Sequence, residues 1–307
     1  MNLAELTRMN EDQIRRYFES LLWPNGPTCP RCKGQDVTKL QGEATRPGVY
    51  LCNPCRRQFT VTVGTIFEDS HIPLRSWAIA IAMMCASKKA VSAKQLQRQL
   101  GLGSYKSAWF MCHRIRHAMA KGPLADLLDG AVEVDETYVG GKPRKGQRDK
   151  AGNIVKHKRG RGTKKTPVVA LVERGGNVRT RVVADVTGTS LKDAIRDHVS
   201  KQATVYTDEH KGYIGVGGMV KDHKTINHKE CYAIGDIHIN TGESFFSLLK
   251  RGVIGAFHHV SKKHLPRYCC EFEFRWERRK MGDGTRAAQA IQAGKGKRLM
   301  YREPSLA

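Results

Sequence analysis

The sequence contains no apolar stretch long enough to cross a bilayer. Its longest apolar run, Trp77 to Ala86 (WAIAIAMMCA), falls well short of the ~20 residues that a spanning helix needs. A basic amphipathic anchor is also missing, which argues against a membrane partner. The opening residues, MNLAELTRMNEDQ, hold no apolar signal core, so the expectation is an intracellular, cytoplasmic protein. Acid is scarce: 29 Asp and Glu stand against 53 Lys and Arg, a net charge of +24. A solvated surface needs no such excess. Nucleic acid is the partner it fits, because neutralising phosphates releases condensed counterions. The nine cysteines are an odd number, which argues against a disulfide framework in that compartment. Convincing internal repeats are absent. The 40% hydrophobic content of the 307 residues excludes wholesale disorder and allows one large domain or two or three smaller ones.

What is present falls into blocks. Residues 1–24 centre on a helix over 10–22, capped by Asn10 with Gln13 three residues on. Ile14, Tyr17, Phe18, Leu21 and Leu22 recur in it at helical spacing, and WPNGP stops it. Residues 25–70 carry Cys29-x-x-Cys32 and Cys52-x-x-Cys55, two knuckles whose thiolates suit one structural, tetrahedral zinc ion. The strands beside them, VYLC and QFTVTV, are too few to fold unaided. Cys85, Cys112, Cys231, Cys269 and Cys270 read as buried small hydrophobes. Residues 71–123 read as helical, with starts at Pro73-Leu74, Ser92 and Ser104. In the third of these helices Ala108, Cys112, Ile115 and Met119 form an apolar stripe. Lys106, Phe110, His113, Arg114, His117 and Lys121 project elsewhere as a basic face. Helix, glycine turn, basic helix is a helix-turn-helix-like pattern; a plain helical bundle linking two domains is the alternative.

From Ala131 the pattern becomes mixed. AVEVDETYV, PVVALVER and VRTRVVADV read as strands, the last two joined by a hairpin at Gly175-Gly176-Asn177. A helix over 190–200 leads to the strand ATVYTD, which ends at Asp208, and HKTINH is a possible further strand. Helices begin near Asn240 and at LPRYCC. Between Lys142 and Lys165 lies a loop with eleven Lys or Arg and one Asp, +10 of the +24. Residues 281–307 read as a loosely attached C-terminal extension. A three-strand meander, a crossover helix and a fourth strand make a ribonuclease H-like α/β domain over 124–280: a mixed sheet flanked by helices, preceded by the zinc ribbon and the helix-turn-helix-like segment.

Three acids stand out against the basic background. Glu133, Asp135 and Thr137 share one face of their strand, Val132, Val134 and Glu136 the other. An acid in an apolar strand is costly unless paired or metal-bound. That marks Asp135, with Glu133 a fallback ligand and Glu136 expected toward solvent or a basic neighbour. Asp208 could equally be a turn acid. Glu243, with Asn240 three residues before it, could equally be part of a helix cap. Yet Glu243, Ser247 and Lys250 form one helical stripe, with Lys250 about 10.5 Å along the axis from Glu243. Hard carboxylate oxygens suit Mg²⁺ or Mn²⁺. Two such ions roughly 4 Å apart can serve an in-line displacement at phosphorus.

The segments WPNGPTCPRC, VEVDETYVGGK, YTDEHKGY, HINTGESFFSLLKRGVIGAFHHVSKKHLPRYCCEFEFR and GKRLMYRE together resemble the prokaryotic insertion-sequence transposases that join an N-terminal zinc ribbon to a DDE-type ribonuclease H-like domain. The resemblance implies Asp135, Asp208 and Glu243 as the triad for two divalent cations, with Asn240 accompanying the Glu and Lys250 contacting DNA. It implies cleavage at element ends and attack of the freed 3′-OH on target DNA, by a homo-oligomer in the cytoplasm, at the nucleoid. Candidate DNA contacts are Lys106 and Arg114; Lys142, Arg144, Lys145, Lys158, Arg159, Arg161, Lys164 and Lys165 in the loop; and Arg251 beside Lys250. The sequence departs from the family pattern at Gly242, Phe246 and Glu277, where an apolar residue, Trp and Asn are usual. A DNA-binding protein that no longer cuts is the alternative function.

The basic loop sets the first test. Affinity for double-stranded DNA, read by fluorescence anisotropy, is expected to fall by about 10³-fold or more between 50 and 200 mM salt when six or more phosphates are neutralised. A flat salt response would refute a phosphate-dominated interface.

Overall fold

The computed structural model describes residues 1–122, 126–140, 146, 148, 151–153, 163, 165–227, 233 and 235–301. They fall into two compact units. One combines Met1–Ala120 with the segment from Arg278 onward, and the other is Lys121–Glu277. No helix among the described residues is long and apolar enough to cross a membrane.

In the first unit, helices α1 (Leu3–Arg8) and α2 (Glu11–Leu22) each begin at an asparagine capping box. Asn10 Oδ1 accepts from Gln13 N at 2.9 Å and Gln13 Oε1 accepts from Asn10 N at 2.8 Å, so two orphan amides are satisfied reciprocally. The α2 start is the one the sequence predicts, whereas α1 is too short for periodicity to show. Three short strands follow: β1 (Val37–Lys39), β2 (Tyr50–Cys52) and β3 (Gln58–Phe59), in antiparallel order β1-β2-β3. β3 is shorter than the expected QFTVTV. Helix α3 (Leu74–Ala86) starts after Pro73, which supplies no side-chain cap. The amides of Leu74 and Arg75 donate instead to the Glu11 carboxylate, at 2.6 and 3.2 Å. Ser92 and Ser104 cap α4 (Ala93–Gln99) and α5 (Tyr105–Met119).

Ala108, Cys112, Ile115 and Met119 of α5 are buried, as their stripe predicts. Of the basic face expected on this helix, His113 and Arg114 are buried, Phe110, His117 and Lys121 are half-buried, and Lys106 is exposed. Arg114 lies over the rings of Trp77 (5.6 Å) and Phe110 (5.4 Å) and donates to the carbonyl of Glu68. A guanidinium desolvated between aromatic rings is a packing group. Arg114 is therefore not presented to a phosphate, whereas Lys106 is exposed.

The C-terminal segment is a second departure. Helix α9 (Asp283–Gln292) buries Ala287, Ala290 and Ile291 and packs on α3. Lys297 Nζ then donates to the carbonyls of Ala118 and Ala120 at the end of α5, at 2.7 and 2.5 Å, a favourable place for a cation. The segment is thus a structural part of the first unit rather than a loose extension.

The second unit is built on a five-stranded mixed sheet. Its strands are β4 (Ala131–Val139), β5 (Thr166–Glu173), β6 (Val178–Val182), β7 (Thr204–Asp208) and β8 (Asp222–Ile226), in the order β6-β5-β4-β7-β8. β4, β5 and β6 are an antiparallel meander, while β7 and β8 lie parallel to β4. This is the ribonuclease H-like topology, and β8 is the strand expected at HKTINH. Gly175, at φ +75°, makes the β5–β6 turn, a backbone region that favours glycine. Helix α6 (Gly188–His198) covers one face: Leu191, Ala194 and Ile195 pack with Val132, Val134, Val169, Leu171 and Val205. Burying each such large aliphatic side chain stabilises by roughly 1.5–3 kcal/mol. Helices α7 (Asn240–Gly252) and α8 (Leu265–Glu277) pack on β4, β5 and β6. Glu277, one of the family departures, is nearly buried and is held by Lys121 Nζ (2.5 Å), Arg179 Nη1 (3.2 Å) and the Val178 amide (3.1 Å).

Glu273 on α8 gives a test of this packing. Its buried carboxylate accepts from Thr180 N at 2.7 Å and from Thr180 Oγ1. Burial pushes its pKa up to about 6, against the pull of the two Thr180 hydrogen bonds. A raised folded-state pKa means that the protonated form favours the fold. That stability is fully present below the ordinary value of 4.5 and lost as pH rises through about 6. Glu273→Gln is expected to stabilise the protein at neutral pH by up to about 2 kcal/mol in denaturant unfolding, an advantage that vanishes in acid below both pKa values. An equal effect at both pH values would rule out ionisation as the cause.

Candidate active site

The cysteines meet the expectation placed on their spacing. Cys29 Sγ and Cys55 Sγ lie 3.7 Å apart, Cys32 Sγ and Cys52 Sγ 3.4 Å, and all four sulfurs are within 4.8 Å of one another. Zinc with Zn–S bonds of about 2.3 Å places tetrahedral sulfurs about 3.8 Å apart, so the set fits the ion. Trp23, Tyr50 and Phe59 pack beside it, with Trp23 edge-on to Tyr50 at 5.4 Å. Strands of two or three residues cannot hold this arrangement without a cross-link.

The acids occupy one face of the larger sheet. Glu133 pairs with Tyr206 in the parallel β4–β7 ladder. Two residues further along each strand, Asp135 and Asp208 stand level and point to that same side. Burial first, then the charges of Glu136, Asp208 and Glu243, raise the Asp135 carboxyl to about 7, although the Glu136 amide donates to its Oδ1. Asp208 Oδ1 accepts from His210 N at 3.0 Å, so the turn-acid reading holds beside any other role. Glu243 lies in the first turn of α7. There Gly242 packs beside β4, where a Cβ on it would stand 3.8 Å from Asp135 Cβ, an ordinary contact. Among the described residues, the four sulfurs are gathered within 4.8 Å and the three carboxylates are not.

The helix cap that was the alternative reading of Asn240 and Glu243 does not form. Helix α7 begins at Asn240, its N-cap is Ile239, and no side chain of its own caps it. The cap comes from Glu133, which is fully buried on β4. Glu133 Oε2 accepts from Thr241 N (2.7 Å) and Gly242 N (2.9 Å), and Oε1 from Thr241 Oγ1 (3.0 Å). Arg174 Nε donates to Oε1 at 2.7 Å, with His238 Nδ1 3.2 Å away. Arg174 also donates to the His238 carbonyl (2.9 Å) and lies 4.2 Å over the Tyr206 ring. Sequence reasoning misses Arg174 and His238; the one local sign is an acid two residues from Asp135 on the same face. Glu136 does not face solvent: Tyr213 donates to it at 2.9 Å, and His210 Nδ1 is 3.9 Å away. Burial, then Glu136 itself, holds the Tyr213 phenol well above its ordinary pKa.

Glu243, Ser247 and Lys250 are exposed along α7, while Phe245, Phe246 and Leu249 are buried. Asn240 and Arg251 are exposed on the same helix. Lys250 and Lys165 both line a cleft of about 250 Å³ together with Thr137, Tyr138, Val139, Gly140, Val253 and Ile254. Lys142, Arg144, Lys145, Lys158, Arg159, Arg161, Lys164 and Cys231 lie outside the described residues.

Sequence comparison decides the family. A model described as the ISXO2-like transposase domain matches residues 127–277, and one described as a transposase zinc-ribbon domain matches residues 9–58. An uncharacterized protein in transposable element ISH50 of Halobacterium salinarum is 31% identical over 280 residues, which is 88% of this chain and 92% of the relative. The chain belongs to the ISXO2-like transposase family. Two solved structures, the Mos1 strand transfer complex and a pre-cleavage Mos1 transpososome, match at 13% identity and TM-scores of 0.23. They cover 69% and 73% of this transposase and 75% and 80% of their own chains.

The purified transposase is expected to carry one tightly held zinc per chain, by elemental analysis. Cys52→Ser should lose the metal and the fold of residues 25–70. A zinc-free wild-type protein would remove the ribbon assignment.

Proposed function

We propose that this transposase cuts DNA at the ends of its element and joins the freed 3′ ends to target DNA, with Asp135, Asp208 and Glu243 holding two Mg²⁺ or Mn²⁺ ions. What supports the reading is that the three acids belong to neighbouring elements around one face of the sheet. Asp135 and Asp208 stand level on adjacent parallel strands, Glu243 lies in the first turn of the helix laid across that face, and burial, then the charges of Glu136, Asp208 and Glu243, raise the Asp135 carboxyl to about 7. Like charges brought together at the cost of ionisation are a site prepared for cations. Carboxylate oxygens are the donors that magnesium and manganese take. The bound ions would supply Lewis-acid stabilisation of the attacking and leaving oxygens.

The rest of the work falls to this chain's own groups. In the first step a water oxygen bonds to the phosphorus at the element end, and the P–O3′ bond breaks to leave a 3′-OH. In the second, that 3′ oxygen bonds to a target phosphorus as one target P–O3′ bond breaks. The first step is a hydrolysis that leaves a 5′-phosphate on the flanking strand, and in the second one phosphodiester forms for the one lost, so no further energy source is required. Lys250 and Lys165, exposed to one cleft beside the end of β4, are placed to meet backbone phosphates. Asn240 stands one turn before Glu243 on the same side of α7, where it can orient a strand or the acid. Both ends of an element must be held together, which calls for two or more copies of the chain on DNA.

Asp135→Ala is expected to lower divalent-dependent cleavage of DNA carrying the flanking ends by at least about 10²–10³-fold, the scale of losing one preorganised electrostatic group. End binding by mobility shift should persist. Undiminished cleavage would sink the triad assignment. Intact end binding by a wild-type protein that never cuts would favour a regulator that binds without cutting.

A further inference from the structure

We infer that Glu133 is a positioning residue: it sets the spacing of the metal-binding acids by capping the helix that carries Glu243. The inference rests on the triad reading above and goes beyond it by giving a role to a residue that ligates nothing. Sequence alone makes Glu133 a fallback ligand, two residues before Asp135 on the same strand face. Its surroundings exclude that role. Two contacts crowd Oε2 (the amides of Thr241 and Gly242) and three crowd Oε1 (the Thr241 hydroxyl, Arg174 Nε and His238 Nδ1). A carboxylate offers about four lone-pair directions, so none is left for a cation.

The same contacts join the elements that carry the acids. Glu133 belongs to β4, two residues before Asp135. The amides it receives belong to α7, one and two residues before Glu243. Arg174, which neutralises it, lies over Tyr206, two residues before Asp208 on β7. Because α7 has no side-chain cap of its own, Glu133 ties the first turn of that helix to β4, and the buried Phe245, Phe246 and Leu249 pack the rest of it on the sheet. A Cβ on Gly242 would meet the carboxylate at 3.9 Å, an ordinary contact, so the helix start stands within packing distance of Glu133 without depending on the glycine. Partners that orient metal ligands from outside the coordination sphere typically change metal affinity by about 10–100-fold when lost.

The test uses the full-length, zinc-loaded chain and Mn²⁺ as the probe. Free Mn²⁺ is read by electron paramagnetic resonance for the wild type, Glu133→Gln, Thr241→Val and Asp135→Ala. Melting midpoints are measured without Mn²⁺. Glu133→Gln is expected to weaken Mn²⁺ binding by about 10–100-fold. Thr241→Val, which removes one donor and keeps the shape, should weaken it by a smaller factor in the same direction. The half-saturating Mn²⁺ for end cleavage should rise in parallel. A lower melting midpoint with unchanged Mn²⁺ affinity in both variants would overturn the inference and leave Glu133 a purely structural cap. If Glu133→Gln fails to fold, Thr241→Val decides alone. Asp135→Ala separates the two levels: lost Mn²⁺ binding there with wild-type binding in the other two variants defeats only the positioning role, whereas wild-type binding in Asp135→Ala defeats the triad and the positioning role together.

Discussion

A carboxylate sealed from water must find donors on every side, and Glu133 takes them from three directions at once. The amides at the start of α7, the guanidinium of Arg174 and the His238 side chain all close on it. Removing one partner of a buried ion pair costs about 3–5 kcal/mol, far more than an exposed pair contributes. A helix start held by so costly a contact cannot drift along the strand beside it. The order β6-β5-β4-β7-β8 then does the rest, since parallel β4 and β7 bring Asp135 and Asp208 level.

The same device recurs on a smaller scale in the first unit. There Glu11, in the first turn of α2, receives the leading amides of α3, a helix that opens on proline and has no cap of its own. In both places an acid from one element completes the hydrogen bonding of another. Each such cap contributes about 1 kcal/mol and, with it, a fixed angle between two elements. Local capping, by Asn10, Ser92 and Ser104, stabilises single helices; capping from a distance builds tertiary structure.

That division explains what could be read from the chain. The strand order, the zinc knuckles, the Asn10 cap and the apolar stripe of α5 rest on spacing within a few residues, and spacing is visible in a sequence. The Glu133 cap joins residues 108 positions apart, and nothing at Thr241 or Gly242 announces it. The Asn240–Glu243 pattern even proposed a local cap that does not form. Arg114 was misplaced for a related reason. Periodicity sorts positions by face, but it could not show that Trp77 and the Glu68 carbonyl would take a charged side chain inward. Aspartate inside an apolar strand is legible as unusual, whereas the charges of Glu136, Asp208 and Glu243 around it are not. The basic loop remains a matter of composition, because most of its lysines and arginines lie outside the described residues.

The unit assembled from both ends of the chain has a consequence for how the protein comes into being. Its helix α3 waits for α9, and between the two lies the whole of the sheet-bearing unit, Lys121–Glu277. On a ribosome adding roughly 5–20 residues per second, that interval lasts on the order of ten seconds or more. The sheet with its acids can close while the ribbon-bearing body still lacks one wall. Completion of that body then reports that translation has run past the last strand and helix of the sheet.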